Sequence, residues 1–228
     1  MHSQVTFGTD SGTIARGELA EPMAATMAPG ILVLNEGWGV DAHVLSLIQR
    51  IAHAGFLALA PDVYDGKVAA DEEEAERLSG LLDWERALVR IAGAARYLTR
   101  HRRCDGRVGI VGFGLGGGLA FAAASRMPEL GAVVAFYGLP VKGTFDPERV
   151  TAPVLAHFAA RDPWARPERG KQIQDAIRRS HGQMSLCVYE ADHAFVNDSR
   201  GEVYAANLAT LAWDRTMVFL QDQLGTGA

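Results

Sequence analysis

The sequence predicts an α/β fold with a mostly parallel central sheet flanked by helices on both faces. Strand-like and helix-like segments alternate from Ile31 to the end of the chain, the order that builds a parallel sheet. The runs "GILVLNE" (30–36), "GFLALAPD" (55–62) and "RVGIVGF" (107–113) are continuously apolar rather than alternating, as strands covered on both faces are. The 228 residues are 48% hydrophobic and carry no composition break, so one domain over 1–228 is expected. A domain of that size buries roughly 70% of its unfolded surface and needs no covalent staple.

The elements follow in order. "SQVTF" (3–7) and "GTIARGEL" (12–19), separated by Gly8-Thr9-Asp10-Ser11-Gly12, predict a starting hairpin with a turn rich in Gly and Asp. After the strand at 30–36, helical spacing runs from Val40 to Ala54, with Asp41 as N-cap. The strand at 55–62 is stopped by Pro61. Residues 71–100 are helical in two pieces. The strand at 107–113 runs through a glycine turn into a helix over Leu115–Ser125. "LGAVVAFYG" (130–138) and "APVLAHFAARD" (152–162) are further strands, joined by the irregular excursion 139–153. A helix over Glu168–Arg179, a strand "MSLCVYE" (184–190) and a closing helix over Tyr204–Gln221 complete the chain.

Several functional classes are excluded at this level. A net charge of −5 gives no electrostatic case for nucleic acid. The two cysteines, Cys104 and Cys187, make no disulfide framework, and no Cys/His spacing calls for a metal. No signal-peptide pattern opens the chain and no apolar run reaches membrane-spanning length, so a cytoplasmic protein acting on a small molecule is expected, monomeric or a small homo-oligomer. "DEEEAER" (71–77) reads as an exposed helix face and "RHRRCDGR" (100–107) as a solvated connection. His2, His43, His53, His101, His157 and His181 are scattered and read as structural or solvated.

Ligands of open parallel sheets bind beyond the carboxyl ends of the strands, so the informative loops follow Leu34, Pro61, Phe113, Tyr137, Ala160 and Tyr189. Around the end of the strand at Phe113 the chain reads Gly112-Phe113-Gly114-Leu115-Gly116, with small residues where a strained nucleophile elbow needs them. The middle position, which should carry Ser or Cys, is Gly114. A dinucleotide reading of these glycines fails, because the turn is not at the first strand and lacks the acidic partner. Asp162 ends the next strand but one, and His193 sits in the loop before the closing helix. Elbow, Asp162, His193 is the chain order of the α/β-hydrolase triad. Glu36 ends a central apolar strand beside Gly37, and Trp38 follows as a pocket wall or a core residue.

At these residues the chain resembles the dienelactone hydrolase family of α/β-hydrolases. The matches are "LNEGWGVDAH", "LAPDVYDG", "VGIVGFGLGGGLA", "ARDP", "ADHAF" and the closing "YAANLATLAWDRTMVFL". The resemblance implies a nucleophile at position 114, Asp162 as orienting acid, His193 as base and Glu36 as modulator of the nucleophile. It implies an oxyanion hole from the N–H groups of Leu115 and Gly37, and hydrolysis of an enol-lactone or related ester without a cofactor. Trp38, Trp164, Tyr137, Phe195 and Asn197 are expected to line the substrate site. The chain departs from the pattern in two ways. Gly114 has no side chain, and the arginines expected to hold a substrate carboxylate are replaced, one by Asn197 and the other within the acidic stretch Asp71–Glu76. A neutral substrate, larger and more aromatic, is therefore expected.

Three readings of Gly114 stay open at this point. The protein is an acid–base enzyme that works without a covalent intermediate, using His193, Asp162 and Glu36 for cyclisation, isomerisation, elimination or water addition. Alternatively, it is an ordinary hydrolase whose nucleophile has been replaced by glycine. The third reading is a ligand-binding protein without catalysis.

Overall fold

A computed structural model describes residues 2–23 and 27–225. Eight strands form one sheet in the order β1-β2-β4-β3-β5-β6-β7-β8. β1 (His2–Gly8) and β2 (Ile14–Ala20) make the expected hairpin, and β2 also runs antiparallel to β4 (Leu57–Pro61). From β4 onward every pairing is parallel, through β3 (Ala28–Leu34), β5 (Cys104–Phe113), β6 (Ala132–Phe136), β7 (Val154–Ala159) and β8 (Met184–Tyr189).

The central strands are apolar throughout because both faces are covered. In β3, Leu32 and Leu34 point to one core and Ile31 and Val33 to the other, the two-residue period of a strand. One core is closed by α1 (Ala42–His53) and α6 (Ala206–Leu224). The other is closed by α2 (Glu72–Gly80), α3 (Trp84–Arg100), α4 (Leu115–Ala124) and α5 (Pro167–Arg179). Asp41 caps α1 as predicted, its side chain accepting from Val44 N at 2.9 Å. The helical stretch 71–100 divides in two because Asp71 and Asp83 each cap a new helix, accepting from Glu74 N and Arg86 N.

The expectation for the stretch before β5 is corrected. β5 begins at Cys104 rather than Arg107, and Cys104 is buried, so the basic stretch before it is not wholly a solvated connection. Arg103 donates to Glu21 Oε2 at 2.7 Å and to the Pro22 carbonyl, tying this stretch to the segment after β2. β8 lies at the sheet edge and leaves Val188 half exposed. Among the described residues, no helix is long and apolar enough to cross a membrane.

Candidate active site

The loops after β3, β5, β6, β7 and β8 converge on one end of the sheet, where a cleft of about 470 Å³ opens. Gly37, Trp38, Gly114, Leu115, Trp164 and His193 are among its walls.

Gly114 occupies the turn between β5 and α4 with φ +51° and ψ −115°, a left-handed backbone that favours glycine. Its N–H donates to the Phe136 carbonyl at 3.0 Å and the Gly116 N–H donates to the Asn35 carbonyl at 3.0 Å, which fixes the turn against both neighbouring strands. The flanking glycines are needed for close approach. A Cβ on Gly112 would land on the Gly116 carbonyl, and one on Gly116 would land on the Leu34 carbonyl. Both obstacles are backbone, which cannot step aside. Gly116→Ala is therefore expected to destabilise the fold by about 3 kcal/mol, read as a lowered urea midpoint with unchanged slope. Position 114 is different: a Cβ there meets nothing nearer than Glu36, at 3.6–3.9 Å, which is ordinary contact.

Leu115 is the first residue of α4, so its N–H has no acceptor within the helix. Among the described residues, neither it nor the Gly37 N–H donates to a protein acceptor. Both residues line the cleft, as an oxyanion hole requires.

Asp162 and His193 meet across the loops after β7 and β8. His193 Nδ1 lies 2.6 Å from Asp162 Oδ2. The other oxygen of Asp162 accepts from Trp164 N and Ala165 N, both at 2.8 Å, so the buried carboxylate is fully engaged. The imidazole is half-buried between Tyr137 and Trp164, whose ring centroids each lie 5.0 Å from its own. With Nδ1 facing Asp162, Nε2 is the nitrogen left for chemistry in the cleft. Ala194, at φ +63°, turns the chain immediately after the histidine.

Glu36 lines the cleft beside Gly114 but is itself buried. Oε1 accepts from the Tyr137 hydroxyl at 2.7 Å and Oε2 from Asn197 Nδ2 at 3.0 Å. Burial, together with the negative charge of Glu36, pushes the Tyr137 phenol well above its ordinary pKa, so it stays protonated and remains a donor. Tyr137 takes a strained φ of +34° to reach this position, held by its own N–H donating to the His157 carbonyl at 2.7 Å.

This arrangement revises the expected lining. Trp38 and Trp164 face the cleft, Trp164 with 67% of its surface exposed. Tyr137, Phe195 and Asn197 do not. All three are buried, Asn197 and Tyr137 holding Glu36 from behind and Phe195 packing on Tyr137 and Tyr189. The acidic residues Glu72 and Glu76 of 71–77 are exposed as expected, and with Ser79 they also reach the cleft at helical spacing. Arg200, which no sequence pattern singles out, is there too. Its Nε donates to Glu202 at 2.9 Å and its Nη2 lies 3.4 Å from Glu72. Among the described residues, no group of three His, Cys, Asp or Glu side chains is placed to hold a metal.

The sheet order, the tight turn after β5 and the Asp–His pair after β7 and β8 define a protein of the α/β-hydrolase fold. The chain belongs to the dienelactone hydrolase family, whose model matches residues 15–224. It is 30% identical to the usf protein of Aquifex pyrophilus, covering 94% of this chain and 96% of that one. It is 29% identical to a carboxymethylenebutenolidase of Pseudomonas putida, covering 90% of each chain. Among solved structures, a dienelactone hydrolase-like promiscuous phosphotriesterase from metagenomic libraries superposes with a TM-score of 0.84 at 25% identity, covering 98% of this chain and 99% of that one.

Proposed function

We propose that this chain is a hydrolytic enzyme for a small lactone or ester that adds water to the carbonyl directly, with no acyl-enzyme. The observation that carries the reading is the intact Asp162–His193 pair at 2.6 Å beside a position, Gly114, that can supply no nucleophile. The family relationship supports the substrate class, and the free N–H groups of Leu115 and Gly37 support an oxyanion step. In this mechanism a water occupies the space that a side chain at 114 would fill. Its oxygen attacks the carbonyl carbon, its proton passes to His193 Nε2, and the carbonyl π electrons move to the oxygen, where the two N–H groups hold the charge. The tetrahedral intermediate then collapses, the bond to the leaving oxygen breaks, and His193 returns the proton to that oxygen. Asp162 keeps the imidazole in the right tautomer and stabilises its charged form.

Glu36 fits this scheme as a fixed carboxylate rather than as a second acid. Each of its oxygens already accepts one hydrogen bond and retains one acceptor site, enough to orient the attacking water. The same His193–Asp162 pair would also serve elimination or isomerisation, and it is the family relationship that favours hydrolysis.

The test uses simple lactones and aryl esters. His193→Ala is expected to lower kcat about 10²–10⁴-fold, and Glu36→Gln about tenfold or more. Mass spectrometry during turnover of the unaltered enzyme should find no covalent adduct. Unchanged turnover in both variants, or an acylated protein, would overturn the mechanism.

A further inference from the structure

We infer that His43 is a positioning residue for this site: through Asp198 it holds Asn197 on Glu36, and so fixes the loop of His193 against the loop of Glu36 and Gly37. The inference rests on Glu36 orienting the attacking water as proposed above. His43 stands in the first turn of α1, where the loop that carries Glu36 and Gly37 ends. Its Nδ1 lies 3.0 Å from Asp198 Oδ1, and its side chain is only 3% exposed. A carboxylate brings no proton to this bond, so Nδ1–H is the donor. Asp198 directly follows Asn197, whose Nδ2 donates to Glu36 Oε2 at 3.0 Å. Two consecutive residues of the His193 loop thus grip the two ends of the Glu36 loop.

The grip has a direction. Asn197 Oδ1 accepts from Ser199 N at 3.0 Å and from Ser199 Oγ at 2.6 Å, which leaves Nδ2 as the end turned to Glu36. The Asn197 N–H donates to the Ala194 carbonyl at 2.9 Å, so a shift at Asp198 is passed back towards His193. Stability does not explain the histidine. Its Nε2 is buried and has no hydrogen-bond partner among the described residues. The crevice that His43 lines with Asn35, Glu36, Trp38 and Asn197 is too narrow for a water that could supply one. A buried polar atom left unpaired is a cost. Val44, Leu47 and Phe113 line the same crevice, so an apolar side chain would suit the place. Asp198 would lose little by the exchange, because its side chain is 55% exposed and water can solvate it. What an apolar residue could not do is hold Asp198, and with it Asn197, in place.

Two variants of the full chain test this. His43→Leu removes the donor to Asp198 and the unpaired nitrogen together, whereas His43→Asn keeps an N–H where Nδ1 stands. In His43→Leu, kcat for an aryl ester should fall about fivefold while KM stays within about twofold, because a displaced Glu36 misplaces the water and not the substrate. The urea midpoint should not fall. His43→Asn should recover most of the rate. In a Glu36→Gln background, His43→Leu should cost nothing further, since effects that act through one residue do not add. Hydrogen exchange reads the grip without turnover. The Asn197 side-chain amide and the Arg200 backbone amide, which donates to the Asn197 carbonyl, should exchange about fivefold faster in His43→Leu. In His43→Asn they should exchange as in the parent, and the β3 and β5 amides should not change in either variant. Unchanged loop exchange in His43→Leu would overturn the inference while leaving the water-addition mechanism standing. A loss of kcat that multiplies with that of Glu36→Gln, that His43→Asn does not relieve, or that comes with a lower urea midpoint would make His43 a merely structural residue and overturn it as well. If the parent hydrolyses no ester, the mechanism falls and the exchange measurement alone decides the grip.

Discussion

Gly114→Cys should convert this protein into one that forms an acyl-enzyme. The thiol would stand at the apex of the β5–α4 turn, where a Cβ meets nothing nearer than Glu36 Cγ at 3.6 Å. The cost is backbone strain, since a non-glycine residue at φ +51° loses about 1–2 kcal/mol. A single such loss leaves a domain of this size folded. The functional gain comes from groups already in place. His193 is oriented by Asp162 at 2.6 Å and can take the thiol proton, and the Leu115 and Gly37 N–H groups can receive the oxyanion. With an aryl ester the variant should show a burst of phenol stoichiometric with enzyme, and its mass should rise by the acyl group. The parent should show neither. The parent's own thiols make a clean control, because Cys104 is buried and Cys187 half-buried in the sheet. A folded Gly114→Cys protein that is never acylated would mean that His193 does not oppose position 114, and the assignment of Gly114 as the nucleophile position would fall. Addition of His193→Ala to the variant should abolish the burst.

Much of this site was legible because it depends on strand order and on backbone. The continuous apolar runs place Glu36, Gly114, Asp162 and His193 at carboxyl ends of parallel strands, and the structure brings those ends together. The glycines of the turn are legible for the same reason, since close backbone approach at Gly112 and Gly116 leaves no other residue possible. Side-chain direction was not legible. Tyr137 and Phe195 lie near the right strand ends, yet both turn inward and are buried, because a tyrosine after β6 and a phenylalanine after His193 can face either core or cleft. Asn197 enters the expected lining only through the family resemblance, and its amide donates instead to the buried Glu36. The acidic residues of α2 are exposed as their composition predicts, but nothing local shows where a short helix after an irregular loop will dock. The docking is settled by Ala75 and Leu78, which pack on the core and thereby turn Glu72, Glu76 and Ser79 towards Gly37 and the cleft. Arg200 pairs locally with Glu202, but its place in the cleft comes from Glu72 and Trp38, which are distant in sequence.

His157, one of the scattered histidines, makes the second large prediction, because it should set the acid limit of the fold. It lies in β7 with no exposed surface. Its hydrogen bonds fix one neutral tautomer. Thr216 Oγ1 donates to the Ala212 carbonyl at 2.9 Å and therefore accepts from His157 Nε2–H at 3.1 Å. Nδ1 is then an acceptor, taking the Tyr189 hydroxyl proton at 2.8 Å, and the Tyr189 oxygen in turn accepts from Arg215 Nη1 at 3.1 Å. A second proton on the imidazole would turn Nδ1 against an oxygen that needs its own proton, in a buried place already facing the Arg215 charge. Burial and Arg215 accordingly push the His157 pKa down to about 3 from the usual 6.5. The unfolded chain therefore binds more protons than the native one between those two values, and stability rises with pH across that window. The contribution is complete above about pH 6.5 and is lost as pH falls towards the folded value, a loss on the order of 4 kcal/mol. Urea unfolding at a series of pH values should show this slope. His157→Gln should lower stability at neutral pH, through imperfect replacement of the two hydrogen bonds, yet flatten the dependence below about pH 6.5. The difference between the two curves isolates the histidine from every carboxylate that titrates in both proteins. Parallel curves would mean that His157 is protonated in the folded state or reaches solvent, and the neutral Thr216–His157–Tyr189 chain would be ruled out.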